Sequence, residues 1–213
     1  MALDPFVAAA ERLAAVGHRF YARGWALGTS GNFSAVVSRD PLRLAITASA
    51  LHKGELHPSD ILLCDDDCRI VGGKAGKPSA ETRLHVEIAR SRGAGAILHT
   101  HSVWTTLLSD VHGDAGGFAL DGYEMLKGLD GVASHEHREW IPIIPNDQDM
   151  IRLGREVAHA LALNPAAHAF VLRRHGLYTW GATLADAERQ VEILEFLFEV
   201  AGRTLMLGPP RAT

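Results

Sequence analysis

In the stretch Ile97-Leu98-His99-Thr100-His101 two histidines are separated by a single residue. Alternate side chains of a strand share a face, so both imidazoles point the same way. Neutral imidazole is a favoured zinc ligand, and a catalytic zinc usually takes three protein ligands and leaves a position for water or substrate. The best source of a third ligand is His175, because Arg174-His175-Gly176 makes a sharp turn after the buried-type run Ala169-Phe170-Val171-Leu172 and lies at a sheet end. A second pair, His135-Glu136-His137, sits among Arg138 and Glu139 just before Ile141–Ile144; it reads as an exposed face and is the alternative metal site. The remaining histidines, His85 and His168 among them, carry no spacing signal and default to polar surface.

Three segments are suited to an anion. Gly28-Thr29-Ser30-Gly31-Asn32-Phe33-Ser34 sets glycines and hydroxyl or amide groups before a strand, which offers backbone N–H groups and neutral donors. Thr47-Ala48-Ser49-Ala50-Leu51-His52-Lys53 and Gly76-Lys77-Pro78-Ser79-Ala80-Glu81 share that chemistry. Ser79 is the expected cap of a helix, whose N-terminal amides favour a phosphate. Three such loops beside a metal site point to a phosphorylated substrate.

The elements that must position these groups follow from periodicity. Apolar residues at helical spacing from Leu3 to Tyr21 predict an amphipathic helix ending near Gly24. Short strand-like runs follow at Phe33–Val37, Leu42–Thr47, Ile61–Cys64 and Ile70–Val71. A helix from Ser79 to Gly93, a strand Ala96–His101, a short helix Val103–Leu108, a strand Ile141–Ile144 and a helix Met150–Ala162 capped by Asn146 or Asp147 come next. Ala169–Arg173 and Leu177–Trp180 read as two strands, and Thr183 caps a last helix through Ala201. The alternation is too irregular for a βαβ repeat, so the expected fold is α/β: a three-layer α/β/α domain around a mixed, largely antiparallel sheet.

The chain has 213 residues, 47% hydrophobic and 22% charged, which suits one globular domain over 1–213. Its net charge of −4 is scattered, so nucleic acid and anionic membrane are not expected partners and a small solute is. The first residues lack a secretory pattern and no run reaches the length of a membrane span, so the expected location is cytoplasmic. Cys64 and Cys68 flank three aspartates and are expected to stay reduced there.

Taken in order, Gly28-Thr-Ser-Gly-Asn32-x-Ser34, Lys77-Pro-Ser-Ala-Glu81, Leu98-His-Thr-His-Ser102 and Arg173-Arg-His-Gly176 resemble the class II aldolase/adducin family across nearly the whole chain. Gly122-Tyr-Glu-Met-Leu-Lys-Gly128, Pro142-Ile-Ile-Pro-Asn-Asp-Gln-Asp149 and Arg173-Arg-His-Gly-Leu-Tyr-Thr-Trp-Gly181 look most like the branch that removes water from a ketose phosphate; metal-dependent sugar-phosphate aldolases are the alternative. The resemblance implies a lyase with one Zn2+ per subunit on His99, His101 and His175, and a small phosphorylated keto-sugar held near Asn32, Ser49, Lys53 and Ser79. It also implies a catalytic acid/base at Glu124 and a homotetramer with sites at subunit interfaces. Glu81 matches the acid/base of the aldolases' Lys-Pro-Ser-x-Glu, so both carboxylates stay open. Cys64 falls where a relative places a substrate-lining cysteine, and it also fits as a small buried residue ending a strand. Ala50 departs from the Gly common after the Ser/Thr of that loop, which puts a backbone contact to phosphate in doubt. An inactive adducin-like binding module would lose the histidine ligands, and here all three are present.

Overall fold

A helix starts where a cap and a preset backbone angle coincide. Asp4 accepts from the Phe6 N–H, and Pro5 occupies the first turn of α1 (Pro5–Ala22), burying Leu13, Val16 and Phe20. The computed structural model describes residues 4–73 and 76–208, so Leu3 lies outside the described residues.

The chain next forms an antiparallel meander: β1 (Asn32–Arg39), β2 (Leu42–Thr47), β3 (Ile61–Asp65) and β4 (Ile70–Gly73). After α2 (Thr82–Arg92), which Gly93 ends in the left-handed conformation at φ 59°, β5 (Ala96–Thr100) returns beside β1. Then come α3 (Val103–Val111), β6 (Gly117–Asp121), β7 (Arg138–Ile144), α4 (Met150–Leu163), β8 (Ala169–Leu172), β9 (Gly176–Gly181) and α5 (Leu184–Leu207). Among the described residues nine strands join in the order β4-β3-β2-β1-β5-β9-β8-β7-β6. Every pair is antiparallel except β7 with β8, which α4 connects as a crossover.

Alternation along the central strands builds two cores. Ile97, Phe170, Leu172, Tyr178 and Trp180 face α2 and α4. Ala96 and Leu98 pack with α1 and the start of α5, while Ala169, Val171 and Leu177 pack with α3 and the rest of α5. The result is the expected three-layer α/β/α arrangement on a mixed, mainly antiparallel sheet. No helix among the described residues is long and apolar enough to cross a membrane.

Three local expectations are corrected. The cap of α2 is Glu81, not Ser79, whose hydroxyl instead accepts from the Glu81 N–H in the preceding turn. The cap of α4 is Asp149 rather than Asn146 or Asp147, because its carboxylate is the one that reaches the N–H groups of Ile151 and Arg152. Strand β6 was not expected. Gly116-Gly117 and Asp121-Gly122 bracket too few residues to show a period, and pairing to β7 is what makes the segment a strand.

Candidate active site

Strands β5 and β9 lie side by side with His99 opposite Tyr178 and Thr100 opposite Leu177. His101 follows the end of β5, and His175 occupies the turn that joins β8 to β9. Arg174 holds that turn at φ 56°, with its N–H donating to Ser109 Oγ (2.9 Å) and its Nε to Asp110 (2.7 Å). Gly176 lets the strands close. A Cβ there would stand 2.2 Å from the Thr100 carbonyl oxygen and 2.8 Å from a ring carbon of His99.

The three imidazoles converge: the Nε2 atoms of His99 and His101 are 2.7 Å apart, and the ligand nitrogens of all three histidines lie within 4.8 Å of one another. His99 Nδ1 donates to the Leu177 carbonyl (2.9 Å), which leaves Nε2 bare. His175 Nδ1 donates to Asn146 Oδ1 (3.2 Å), with the same effect. Burial pushes His99 down to about 4 and His101 down to about 3, so both are neutral near pH 7. Convergent, and with the rings of His99 and His175 turned by a backbone carbonyl and an amide oxygen, these nitrogens can hold a divalent metal ion.

Glu81, at the start of α2, stands beside them. Its Oε1 is 3.1 Å from His175 Nε2 and 3.6 Å from His99 Nε2, and its Oε2 accepts from Asn32 Nδ2 (2.5 Å). Burial works against its charge, whereas positive charge on His99 or an N–H from His175, together with the Asn32 amide, favours it, and the balance lies below the usual carboxylate range. Tyr178 stacks on His99 at 3.9 Å, and among the described residues its buried hydroxyl has no partner of normal hydrogen-bond geometry. Burial first, then the Glu81 charge, raise the phenol well above its ordinary pKa.

Next to this cluster lies a polar cavity of about 260 Å³, lined by Thr29, Asn32, Ser49, Lys53, Ser79 and His101 among others. A bridge from Ala48 to Pro78, and the Ser49 N–H donating to the Lys77 carbonyl (2.9 Å), bring two of the loops together. Lys53 is almost fully buried, with Nζ donating to the carbonyls of Thr29 (3.1 Å) and Leu51 (2.9 Å). Desolvation pulls it down to about 8 while Glu81 opposes the shift. Ala50 sits at φ 60°, a conformation that favours glycine, so the departure from Gly noted in the sequence falls at a position of real backbone demand.

Two expected residues lie elsewhere. Glu124 stands on an exposed 3-10 turn, where its carboxylate pairs with Lys127 (2.8 Å) and lies 3.9 Å from His135; the Lys127 hydrogen bond lowers its pKa. Cys64 is buried on β3 with Ile46, Ala48 and Leu62 and is not among the cavity-lining residues; burial raises its thiol to about 11. The alternative metal pair also separates, because His135 stays exposed while His137 turns to Glu139 Oε2 (2.8 Å). Glu139 in turn accepts from His168 Nδ1 and from the His168 N–H (both 2.9 Å), and His168 Nε2 donates to the Asp130 carbonyl (2.8 Å). His168 is thus half-buried and bonded at both ring nitrogens, and the Glu139 hydrogen bond and charge raise its pKa against the opposing effect of burial; it is not the surface residue expected. His85 is fully buried as well. The readable signal for it was Glu81-x-x-x-His85, one turn apart on one helix face.

The sequence matches the model of the Class II Aldolase and Adducin N-terminal domain over residues 11–201, and the chain belongs to that family. Among its relatives, the methylthioribulose-1-phosphate dehydratase of Methylococcus capsulatus is 44% identical over 199 residues, covering 93% of this chain and 95% of that one. The enzyme of the same name from Pseudomonas aeruginosa is also 44% identical, over 201 residues, with 93% and 95% coverage. Of solved structures, the L-fuculose-1-phosphate aldolase of Thermus thermophilus superposes with a TM-score of 0.68 at 26% identity, covering 94% of this chain and 93% of that one. An L-fuculose 1-phosphate aldolase at 22% identity gives a TM-score of 0.78, covering 100% of this chain and 92% of that chain, and shows the shared fold.

Proposed function

We propose that this chain is a zinc-dependent hydro-lyase that converts 5-methylthioribulose 1-phosphate to 2,3-diketo-5-methylthiopentyl 1-phosphate in methionine salvage, acting in the cytoplasm as a homotetramer of single catalytic domains. The observation that carries the reading is the set of three convergent imidazoles beside a polar, lysine-containing cavity, in a chain 44% identical over most of its length to enzymes of that name. Zinc, when bound by His99, His101 and His175, would supply a Lewis acid to the substrate ketone. Asn32, Ser49, Lys53 and Ser79 would hold the phosphate, with the start of α2 favouring its charge. A carboxylate must then take the proton from carbon 3 and return one to the leaving hydroxyl at carbon 4.

Glu124 is assigned that work. Its exposed turn pairs only with Lys127 and His135 among the described contacts, which suits delivery to the histidines of a neighbouring copy at an interfacial site. Zinc-loaded protein given methylthioribulose 1-phosphate should release a diketo phosphate, followed by NMR; carbon–carbon cleavage would move the assignment to an aldolase. The aldolase reading draws on Glu81, the carboxylate that lies against the histidines within one chain. Glu124→Gln should keep zinc and lose turnover by about 10²–10⁴-fold. Mixing inactive His99→Ala and Glu124→Gln chains should restore activity if the carboxylate works across an interface, whereas no recovery in confirmed mixed oligomers argues for Glu81.

A further inference from the structure

A buried chain of hydrogen bonds runs from β1 through α2 to Glu81. Ser34 Oγ is 2.7 Å from His85 Nδ1, His85 Nε2 is 2.5 Å from Asn32 Oδ1, and Asn32 Nδ2 is 2.5 Å from Glu81 Oε2. Asn32 and Ser34 share one face of β1, and Glu81 and His85 share one face at the start of α2, so four side chains interlock. Ser34 and His85 are fully buried and Asn32 nearly so. Water is therefore a poor substitute for any of these bonds.

The direction of each bond follows from donor chemistry. An ionised Glu81 only accepts, so the Asn32 group facing it is the NH2, which turns the Asn32 oxygen toward His85. His85 Nε2 must then carry hydrogen. If His85 is neutral, Nδ1 accepts from the Ser34 hydroxyl; if it is protonated, Nδ1 donates to it. Either state leaves Nε2 as the donor, so the orientation of Asn32 does not depend on the charge of His85.

We propose that His85 is a positioning residue for the carboxylate beside the metal site: its Nε2–H fixes the Asn32 amide, which holds Glu81 next to the histidines. The oxygen and nitrogen of an amide are nearly the same size, and without the His85 donor Asn32 is free to turn its oxygen to Glu81. Two acceptors would then face each other in a site of low dielectric, and Glu81 would swing from its 3.1 Å contact with His175. This rests on the reading of the three histidines as a metal site; it does not depend on which phosphorylated sugar is the substrate.

Two substitutions separate position from mere burial. His85→Gln keeps an N–H at the reach of Nε2, whereas His85→Asn keeps a polar group only on the Ser34 side. On the purified zinc-loaded protein, zinc affinity is read by chelator competition and kcat and KM on methylthioribulose 1-phosphate. His85→Asn should lose about 10–100-fold in zinc affinity or kcat, the range seen when outer-shell partners of a metal site are removed, with KM little changed. His85→Gln should recover most of that loss. Equal losses in both variants, or none in either, would overturn the proposal. Absence of turnover in the wild type would instead count against the substrate assignment and leave zinc affinity to decide. If His85→Asn does not fold, the nitrogen shifts of His85 in the wild-type protein decide the matter: a bare Nε2 refutes the proposal, and a protonated Nε2 sustains it.

Discussion

Replacing Gly176 by Ala perturbs the metal site through backbone packing alone, with no change of charge or ligand. The new Cβ would lie 2.2 Å from the Thr100 carbonyl oxygen, 2.8 Å from His99 Cε1 and 3.1 Å from His101 Cδ2. Ordinary C···O contacts are about 3.3–3.6 Å, so β5 and β9 must part by roughly 1 Å at this point. The atom in the way is backbone and has no rotamer to escape into. Overpacking of this kind costs about 1–3 kcal/mol, which lowers the melting temperature by roughly 2–12 °C for a chain of this size. The functional effect should be larger than the stability effect. Both ring contacts belong to metal-site histidines, and a misplacement of about 1 Å can cost on the order of 10²-fold in rate. Thermal melts, chelator competition for zinc and turnover on one preparation would test it. A folded Gly176→Ala protein with wild-type zinc affinity and turnover within twofold would refute the claim that the Gly176 approach sets the histidine geometry.

At Gly154 in α4 a Cβ meets nothing nearer than Arg83 Cγ at 3.9 Å, so Gly154→Ala should raise stability by about 0.5–1 kcal/mol in a thermal melt, the opposite sign to Gly176. Thr183→Ala removes the side chain that accepts from the Asp186 N–H and should cost about 1 kcal/mol in denaturant titration, with zinc binding unchanged. The Glu139–His168 pair predicts a pH effect. Burial opposes both charges, but their mutual hydrogen bonds lower Glu139 and raise His168. The His168 contribution is therefore complete below about pH 6.5 and is lost as pH rises through its raised value; that of Glu139 is present above about pH 4.5 and is lost on acidification. Glu139→Gln should cost about 1.5–3 kcal/mol, most between these limits, and its deficit should shrink toward alkaline pH. A gap in melting temperature that stays constant from pH 5.5 to 9 would show that the pair is uncharged.

How legible all this was depended on the range of each interaction. Ile97 to His101 showed in the sequence because strand alternation is local, and so did the capping Thr183 and the turn that carries His175. Strand β6 did not show, since its identity comes from β7 and not from its own few residues. Tyr178 reaches His99 only through the β5–β9 register, and His168 reaches Glu139 only because β7 and β8 run parallel. Neither register leaves a local mark. The helix turn from Glu81 to His85 was readable as a shared face, but nothing in it said that the face is buried against Asn32 and Ser34. The three phosphate-type loops were grouped by their shared chemistry, whereas the acid/base role open to Glu81 came only with the family resemblance.

The hydrogen bond from His99 to the Leu177 carbonyl spans 78 residues of chain. During synthesis, a ribosome that has passed His101, just beyond β5, has produced two of the three metal-site histidines and only one of the two strands that flank β5. His175, and the carbonyl that fixes the His99 tautomer, follow much later, and closing so long a loop is slow relative to local helix formation. The complete three-histidine site therefore cannot exist before β9 has been made. A nascent or truncated chain that stops before β9 cannot sequester the ion in this geometry, so metal occupancy in the cell reports on chains that have been finished as well as folded.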